Sequence, residues 1–559
     1  VKINSSYPIR VIVVLCALFI MVGVIMGRIF DLHVLRKDEL QKSGNARSVR
    51  HLPMPAHRGV IYDRNGEPLA ISTKVYNLWF NSALIDIQDD RWYQVAQLLN
   101  INAEQLFDKL KKAQNQNKEF TYLVRALTPN VSAEVSELKI KGLYKEDSYK
   151  RFYPAANVAA HVVGLTDIDD IGSEGLEFAY NNVLTGKVGL KRFEKDLRGK
   201  LLDVEQVIIP PEQGKDLSLS IDLRLQYIAM RELEKTVVKH NAQAGIVMVA
   251  DVKTGEILSL VNYPSYNPNN RDEVVPQNMR NIALVDVFEI GSTAKPFSML
   301  AALASGKWRE TDIVDVWPFK IELDGYPIED VTRNNGSKLD LTKILINSSN
   351  VGMSKIALNV GAVPIYQVMY DFGLGKGTTL GFPGERIGDI PSHRVWSASA
   401  TATLSFGYGV SVNAAQLLQA YSVIANEGTF IPLTIFRQDD KSKIQAISVF
   451  DANIVRRLKG MLRKVVEDQR GTILARVPNY AVAGKSGTSR KYINGKHSNK
   501  EHNALFVGFA PVNNSRYAVL VFIDNPRGGE YFGGKVAAPL FSKVMEETLR
   551  LMNVPEGDK

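Results

Sequence analysis

Ser292 and Lys295 lie three residues apart in the stretch EIGSTAKPFSM, Glu289 to Met299. On a helix such a pair shares one face, with the Cβ atoms about 5–6 Å apart. The lysine amine then reaches the serine hydroxyl. A serine hydroxyl is a weak nucleophile until a base takes its proton, and an ammonium cannot be that base. Burial and the positive end of a helix both favour the neutral amine. The spacing therefore predicts a helix that starts at Ser292, has Thr293–Leu303 as its body and lies in the core. At a helix start the Ser292 backbone N–H is also free to stabilise an oxyanion. The pair is weak by itself, because SELK (Ser136 to Lys139) repeats it in a charged helical stretch that reads as solvated surface.

Two later stretches add to it. NSSNVGMSK holds a hydroxyl and an amide two residues apart, Ser348 and Asn350, and GKSGTSR holds Lys485, Ser486, Gly487 and Thr488 in a strand. Gly487 leaves room for a substrate backbone to pair along the strand edge. Lys485 supplies positive charge, and the Ser486 and Thr488 hydroxyls suit a carboxylate. A similar Lys253-Thr254-Gly255 sits at a hairpin tip, where Thr-Gly is ordinary turn chemistry. Other candidates carry ordinary readings. His497 and His502 flank the polar HSNKEH run and read as solvated loop residues. His161 reads as a structural histidine, Asp167–Asp170 as a turn, and no H-E-x-x-H zinc motif occurs.

The chain must hold these groups in place with 559 residues, enough for about three or four domain-sized units. It is 45% hydrophobic and 23% charged, which excludes a disordered chain. The net charge of +9 permits attraction to anionic lipid or polymer, although a solvated basic surface explains it as well. The single cysteine, Cys16, excludes intramolecular disulfides and cysteine-based zinc sites. Val11–Gly27 is an unbroken apolar run long enough to span a bilayer. It lacks an A-x-A-like cleavage site and reads as an uncleaved anchor. Lys2 and Arg10 precede it, which by the positive-inside tendency puts the short tail in the cytoplasm; Arg28 and His33 on the other flank oppose that orientation. A start at Val1 rather than Met leads one to expect a native start further upstream.

After the anchor, His57–Thr73 reads as a hairpin turning at Asn65-Gly66. Asp89–Lys150 reads as mainly helical, Thr185–Lys200 as loops and short strands, and Ile209–Asp216 as a linker broken by Pro210, Pro211 and Gly214. Ser220–His240 reads as an amphipathic helix capped by Asp222, and Ala244–Pro264 as a hairpin. Helices dominate Ser292–Asn426. Strands return at Tyr480–Tyr492, Ala504–Pro511 and Arg516–Asn525, before a last helix near Val536–Met552. Strands at both ends with helices between predict one sheet that brings the two ends of this unit together.

In order and spacing, Ser292/Lys295, Ser348/Asn350 and Lys485–Thr488 match the S-x-x-K, S-x-N and K-[ST]-G set of penicillin-recognising serine enzymes. RGVIYDRNG, GLEFAYNNVLTG, SYNPNN, VFEIGSTAKPF, SFGYG and YFGGKVAAPLF extend the likeness from about Arg58 to Phe541. The chain resembles the division-specific class B penicillin-binding proteins of Gram-negative bacteria. Elongation-type relatives usually carry Asp where Asn350 stands. No stretch resembles the glycosyltransferase domain of class A enzymes.

The resemblance implies an α/β (α+β) penicillin-binding transpeptidase fold, with a central antiparallel sheet and a helical subdomain. It implies a tail (1–10), a transmembrane signal anchor (11–30), a non-catalytic pedestal or dimerisation domain (31–215) and a transpeptidase domain (216–555). Ser292 would be the acylated nucleophile, Lys295 its base, Ser348 a proton shuttle and Asn350 an amide-binding group. The backbone N–H groups of Ser292 and Thr488 would form the oxyanion hole. Ser486, Gly487 and Thr488 would hold the D-Ala carboxylate in the field of Lys485, and Tyr531, Gly533 and Gly534 would line a loop beside the site. Implied partners are the stem pentapeptide ending in D-Ala-D-Ala, β-lactams, a septal glycan polymerase with other division proteins, and the membrane, with no nucleic acid and no cofactor or metal. The implied location is the inner membrane, single-pass, with the catalytic domain in the periplasm. Ile290 and Asn413-Ala414 stand where the family usually has Pro and Thr-Pro. An elongation-type enzyme, a D,D-carboxypeptidase, a β-lactamase, a β-lactam sensor and an inactive scaffold are the rivals. No E-x-x-L-N pattern follows the S-x-N, and a β-lactamase needs such a glutamate.

Overall fold

The computed structural model describes residues 7–195, 201–331, 336–493 and 495–556. Residues 1–6 of the expected tail (1–10), with Lys2 among them, and Asp196–Lys200 lie outside the described residues. Two compact units form. One comprises Val1–His57, Lys74–Tyr149 and Gly186–Gly214; the other comprises Arg58–Thr73, Lys150–Thr185 and Lys215–Lys559.

The first unit begins with helix α1 (Tyr7–Phe30). Among the described residues one segment, Ile9–Leu35 with mean hydropathy 2.9, is long and apolar enough to cross a membrane. Its 27 residues reach about 40 Å, more than the hydrocarbon core requires. The expected anchor is therefore one continuous exposed helix, with Cys16 on its surface. Val49–Met54, Gly189–Lys195 and Leu201–Ile209 form a three-stranded antiparallel sheet. A separate small core gathers Phe80, Trp92, Leu106 and Leu110.

The expectation of a mainly helical Asp89–Lys150 is corrected here. Helices Arg91–Leu98, Ala103–Asn115 and Pro129–Glu137 form, but strands Thr121–Leu127 and Leu143–Phe152 share the segment. The second strand reads LYKEDSYKRF and alternates half-buried with exposed residues, with Arg151 alone buried. It has almost no apolar alternation, so backbone pairing decides it and periodicity cannot. The Ser136–Lys139 pair is exposed, and Ser136 Oγ donates to Ser132 O at 2.7 Å.

In the second unit, Ile61–Tyr62 and the start of Pro68–Phe80 form the expected hairpin. Asp63 Oδ1 accepts from Asn65 N and Glu67 N, and Gly66 takes φ +87°. Asp167 Oδ1 accepts from Asp169 N and Ile171 N, the expected turn. Helix α2 (Leu223–Lys239) is capped by Asp222, whose side chain accepts from Arg224 N. Strands β1 (Ala244–Asp251) and β2 (Ile257–Tyr263) form the next hairpin.

Helices α3 (Lys295–Ala304), α4 (Asn350–Val360) and α5 (Ala414–Ala425) follow. Strands β3 (Ala483–Ile493), β4 (Lys496–Ala510) and β5 (Tyr517–Asp524) then lead into α6 (Gly533–Leu551). The sheet order is β2-β1-β5-β4-β3, antiparallel throughout, so the late strands pair onto the early hairpin as expected. Alternate residues feed two cores. Phe506, Val519 and Val521 pack with α2 and α6, whereas Leu505, Val507 and Leu520 pack with α3 and α5. Both faces are covered, and the strands read as continuous apolar runs for that reason.

β3 is one of the two edge strands, β2 being the other. β3 is held on one side only by β4, with Lys485 opposite Val507 and Thr488 opposite Ala504. An edge strand keeps half of its backbone hydrogen-bonding groups for another partner. β4 starts at Lys496, so HSNKEH is strand rather than loop. Its high charge hid the pairing.

Candidate active site

Ser292 sits one turn earlier than a simple helix start would place it. Gly291–Ala294 form a 3₁₀ turn, and the α-helix begins at Lys295. The expected helix body from Thr293 is corrected accordingly. Thr293 donates from both its N and its Oγ1 to Ile290 O, at 3.3 and 2.7 Å, which tightens the turn. In a 3₁₀ turn residues i and i+3 eclipse, so the two side chains still point the same way. Pro296 fits the first helical turn, where a missing N–H costs nothing.

Lys295 is fully buried. Its Nζ lies 2.8 Å from Ser292 Oγ, 2.8 Å from Ser348 O, 3.1 Å from Ser348 Oγ and 2.8 Å from Asn350 Oδ1. A neutral amine has two N–H bonds and one lone pair. Two fixed acceptors, Ser348 O and Asn350 Oδ1, can take the N–H bonds. The lone pair is then left for the Ser292 O–H, the arrangement of a general base. Burial holds the Lys295 pKa well below the ordinary lysine range, the nearby Lys485 charge lowers it further, and Asp330 partly opposes both.

Ser348 occupies the left-handed region at φ +55°. A non-glycine residue there costs about 1 kcal/mol or more, and the surrounding bonds hold it. Ser349 caps α4 through Gly352 N → Oγ at 2.9 Å, and its own Oγ donates to Asp330 Oδ2 at 2.6 Å. Val351 N donates to Asp330 Oδ1 at 2.9 Å. A buried carboxylate thus clamps the helix start that carries Ser348 and Asn350. Asn350 Nδ2 donates to Glu329 O at 3.1 Å, which fixes its oxygen toward Lys295.

Strand alternation sorts the third group. Lys485, Gly487 and Ser489 are buried; Ser486 and Thr488 are half-buried on the other face. Lys485 Nζ donates to Ser348 Oγ at 3.2 Å and to Ser486 O at 3.0 Å. Burial pushes its pKa down to about 7. A Cβ on Gly487 would lie 2.9 Å from Ile290 O and 2.9 Å from Thr293 Cγ2. The missing side chain therefore lets the strand close on the nucleophile turn, a role not visible in the sequence. Gly533 N donates to Thr488 Oγ1 at 3.0 Å, and the Ser486 and Thr472 hydroxyls are 3.2 Å apart. Tyr531 stacks on His502 with ring centres 4.2 Å apart.

Five of the candidate residues, Ser292, Lys295, Ser348, Asn350 and Lys485, thus meet in one hydrogen-bonded cluster. Ser486, Thr488, Gly533 and Gly534 form a second group on the opposite strand face. A cleft of about 700 Å³, lined by Asn350, Tyr326, Phe406, Tyr408, Arg490 and His497 among others, opens beside the cluster. His497 and His502 are not free loop residues, since both sit on β4 and both are engaged by side chains. His161 is buried beside Asn278 O at 2.8 Å, and burial pushes its pKa down to about 4, as a structural histidine requires.

Sequence reasoning missed Asp330, Glu289 and Gly407. Asp330 meets Ser349 across 19 residues with no periodic relation. Gly407 packs where a Cβ would fall 2.3 Å from Gly291 O; its only signal was the SFGYG run. Ile290 is fully buried, at φ −81°, and its N–H donates to Val410 O at 3.3 Å. That angle is one proline also adopts. Asn413 caps α5 in a full capping box with Gln416, and Ala414 takes the first helical position. Thr-Pro would serve the same two capping positions by the same physics, but Asn413 Nδ2 also donates to Glu385 Oε1 at 3.3 Å and to Arg386 O at 2.9 Å, bonds a threonine would not make.

Comparison with known proteins agrees with this geometry. The penicillin binding protein transpeptidase domain matches residues 245–546, and the penicillin-binding protein dimerisation domain matches residues 53–219. The probable peptidoglycan D,D-transpeptidase PbpC of Pseudomonas aeruginosa is 44% identical over 544 residues, 97% of this chain and 95% of that protein. Peptidoglycan D,D-transpeptidase FtsI of Escherichia coli K12 is 38% identical over 539 residues, 95% of this chain and 90% of that protein. The crystal structure of a peptidoglycan synthetase from Bifidobacterium adolescentis superposes with a TM-score of 0.70 at 26% identity, covering 91% of this chain and 98% of that one. With both domains present in order and a cluster of two serines, two lysines and an asparagine where the motifs predict it, the chain belongs to the class B penicillin-binding proteins.

Proposed function

We infer that the chain is a serine peptidoglycan D,D-transpeptidase that cross-links stem peptides, takes donors ending in D-Ala-D-Ala and binds β-lactams. The observation that carries this reading is the Lys295 amine, buried and placed 2.8 Å from Ser292 Oγ with its N–H bonds committed elsewhere.

Ser292 Oγ attacks the carbonyl of the penultimate D-Ala while its proton passes to Lys295 Nζ. The oxyanion is met by backbone N–H groups of Ser292 and Thr488. The proton then moves through Ser348 Oγ, 3.1 Å from Lys295 Nζ, to the departing D-Ala nitrogen. Asn350 binds the substrate amide, and Ser486 and Thr488 bind the terminal carboxylate in the field of Lys485. In the second step a stem amine attacks the ester. Ser348 and Lys295 take its proton and return one to Ser292. β-Lactams enter by the first step and stay because the expelled ring nitrogen remains tethered to the acyl group, where it blocks the approach of an acceptor.

We propose further that the enzyme works at the division septum, anchored by α1 with the catalytic unit in the periplasm. The 38% identity to the Escherichia coli FtsI protein supports this, as does Asn350 in the S-x-N position. In this reading the domain at residues 53–219 docks a glycan polymerase and other division proteins. The test is mass spectrometry after incubation with penicillin. Ser292 should carry one stable adduct, absent in Ser292→Ala. Rapid nitrocefin turnover would instead indicate a β-lactamase, and rapid release of D-Ala without cross-linking a carboxypeptidase.

A further inference from the structure

The strand Phe288–Glu289 leads directly into the nucleophile turn, paired with Ser411–Val412. The Glu289 carboxylate, only 13% exposed, has two partners. Gly409 N donates to Oε1 at 2.9 Å, and His497 Nε2 lies 2.9 Å from Oε2. The Glu289 backbone oxygen also accepts from Ser489 Oγ on β3 at 2.8 Å. Gly409 belongs to the loop whose Gly407 packs on Gly291 and whose Tyr408 lines the cleft. The His497 ring stands edge-on to Tyr408 and to Tyr492, with centres 5.4 and 5.1 Å away. One imidazole therefore links β3, β4, the Tyr408 loop and the strand that carries Ser292 forward.

We propose that His497 is a positioning residue for acylation, holding the Tyr408 wall of the donor cleft onto the Glu289 strand. This rests on the transpeptidase reading above. His497 takes no part in the proton relay, because its contact is to Glu289 and not to Ser292, Lys295 or Ser348. The wall it holds faces the same cleft as Asn350, so a loosened wall misplaces the donor peptide before it misplaces the nucleophile. The effect therefore falls on binding more than on the chemical step.

The groups facing His497 are Glu289 from the pre-nucleophile strand, Tyr408 from its loop and Tyr492 from β3. Arg490 of β3, with Glu329 and Asp330 of the opposite wall, lines the same cleft.

The experiment uses the full chain in detergent, with penicillin as the acylating probe. The acylation constants k2 and K are measured separately for the wild type, His497→Gln, His497→Ala and Glu289→Gln. His497→Ala should lose about tenfold in k2/K, chiefly through K, and His497→Gln, which keeps a side-chain donor toward Glu289, should recover most of that loss. Glu289→Gln should weaken binding in the same way, through K rather than k2. Melting temperatures are recorded in parallel, and His497→Gln keeps a donor in place should the alanine variant fold poorly. An unchanged K in His497→Ala, or a loss confined to k2, overturns the proposal. Failure of the wild type to acylate at Ser292 would instead remove the transpeptidase reading itself.

Discussion

Lys485 Nζ donates to Ser348 Oγ at 3.2 Å, from a strand 137 residues further along the chain. The same hydroxyl lies 3.1 Å from Lys295 Nζ. Two buried amines thus share one small oxygen. Both cannot be charged without mutual repulsion, and burial disfavours either charge. Burial favours the neutral form of Lys295, the form a base requires, and pushes the Lys485 pKa down to about 7.

The pH profile should show both lysines. The acylation rate constant depends on neutral Lys295, so it should fall as pH drops through the lowered pKa of that amine. Attraction for a carboxylate depends on charged Lys485, so binding should weaken as pH rises through about 7. A carboxylate-bearing penicillin should therefore give a bell-shaped k2/K, whereas its methyl ester should lack the alkaline limb. An alkaline limb of equal depth for the ester would remove Lys485 from carboxylate recognition.

The depressed Lys485 pKa also has a sign in stability. Between about 7 and the ordinary lysine range the unfolded chain binds more protons than the folded one, so stability should rise with pH there. Lys485→Met removes that dependence. The gap between its melting temperature and that of the wild type should change steadily between about pH 7 and about pH 10; a constant gap would contradict the assignment.

Gly487→Ala should damage the reaction without adding any group to the substrate. The new Cβ would lie 2.9 Å from Ile290 O and from Thr293 Cγ2, closer than real contacts allow. The turn carrying Ser292 must yield, at about 1–3 kcal/mol. We expect acylation to drop by about a hundredfold, with folding retained by circular dichroism. Near-normal acylation would show that the turn moves freely relative to β3.

Asp330→Asn should act through the helix start. Its carboxylate takes bonds from Ser349 Oγ and Val351 N and opposes the lowering of the Lys295 pKa. Loss of the charge should cost about 1 kcal/mol of stability. It should also slow acylation by about tenfold, because Lys295 becomes cationic as it takes the proton. Stopped-flow acylation together with thermal melting separates the two effects; unchanged rates would limit Asp330 to a cap.

Ile290→Pro should be mild. The backbone angle already suits proline, and the hydrogen bond to Val410 O that would be lost is long at 3.3 Å. The buried side chain loses packing worth about 1–2 kcal/mol, while Ser292 acylation should stay within about threefold of wild type. A collapse of acylation would mean that the Ile290 N–H, rather than the turn bonds of Thr293, holds the nucleophile.

The sequence by itself determined the reactive groups and most of the frame around them. Motif order singled out Ser292, Lys295, Ser348, Asn350 and Lys485. Apolar runs marked α1, the paired strands and the helices that pack on them, because those patterns record what must be buried. The chain could not say which side chains meet. Asp330 clamps Ser349, Gly487 makes room for Thr293, and Glu289 holds His497, each across a separation that leaves no local pattern. The strand LYKEDSYKRF and the charged start of β4 were illegible for a related reason: their apolar content is too low to mark a period, and pairing with a neighbouring strand sets their conformation. Tertiary structure also decided the chemistry of the two lysines. Their types are written in the chain, but only burial around a shared hydroxyl makes one a base and the other a group that titrates at about 7.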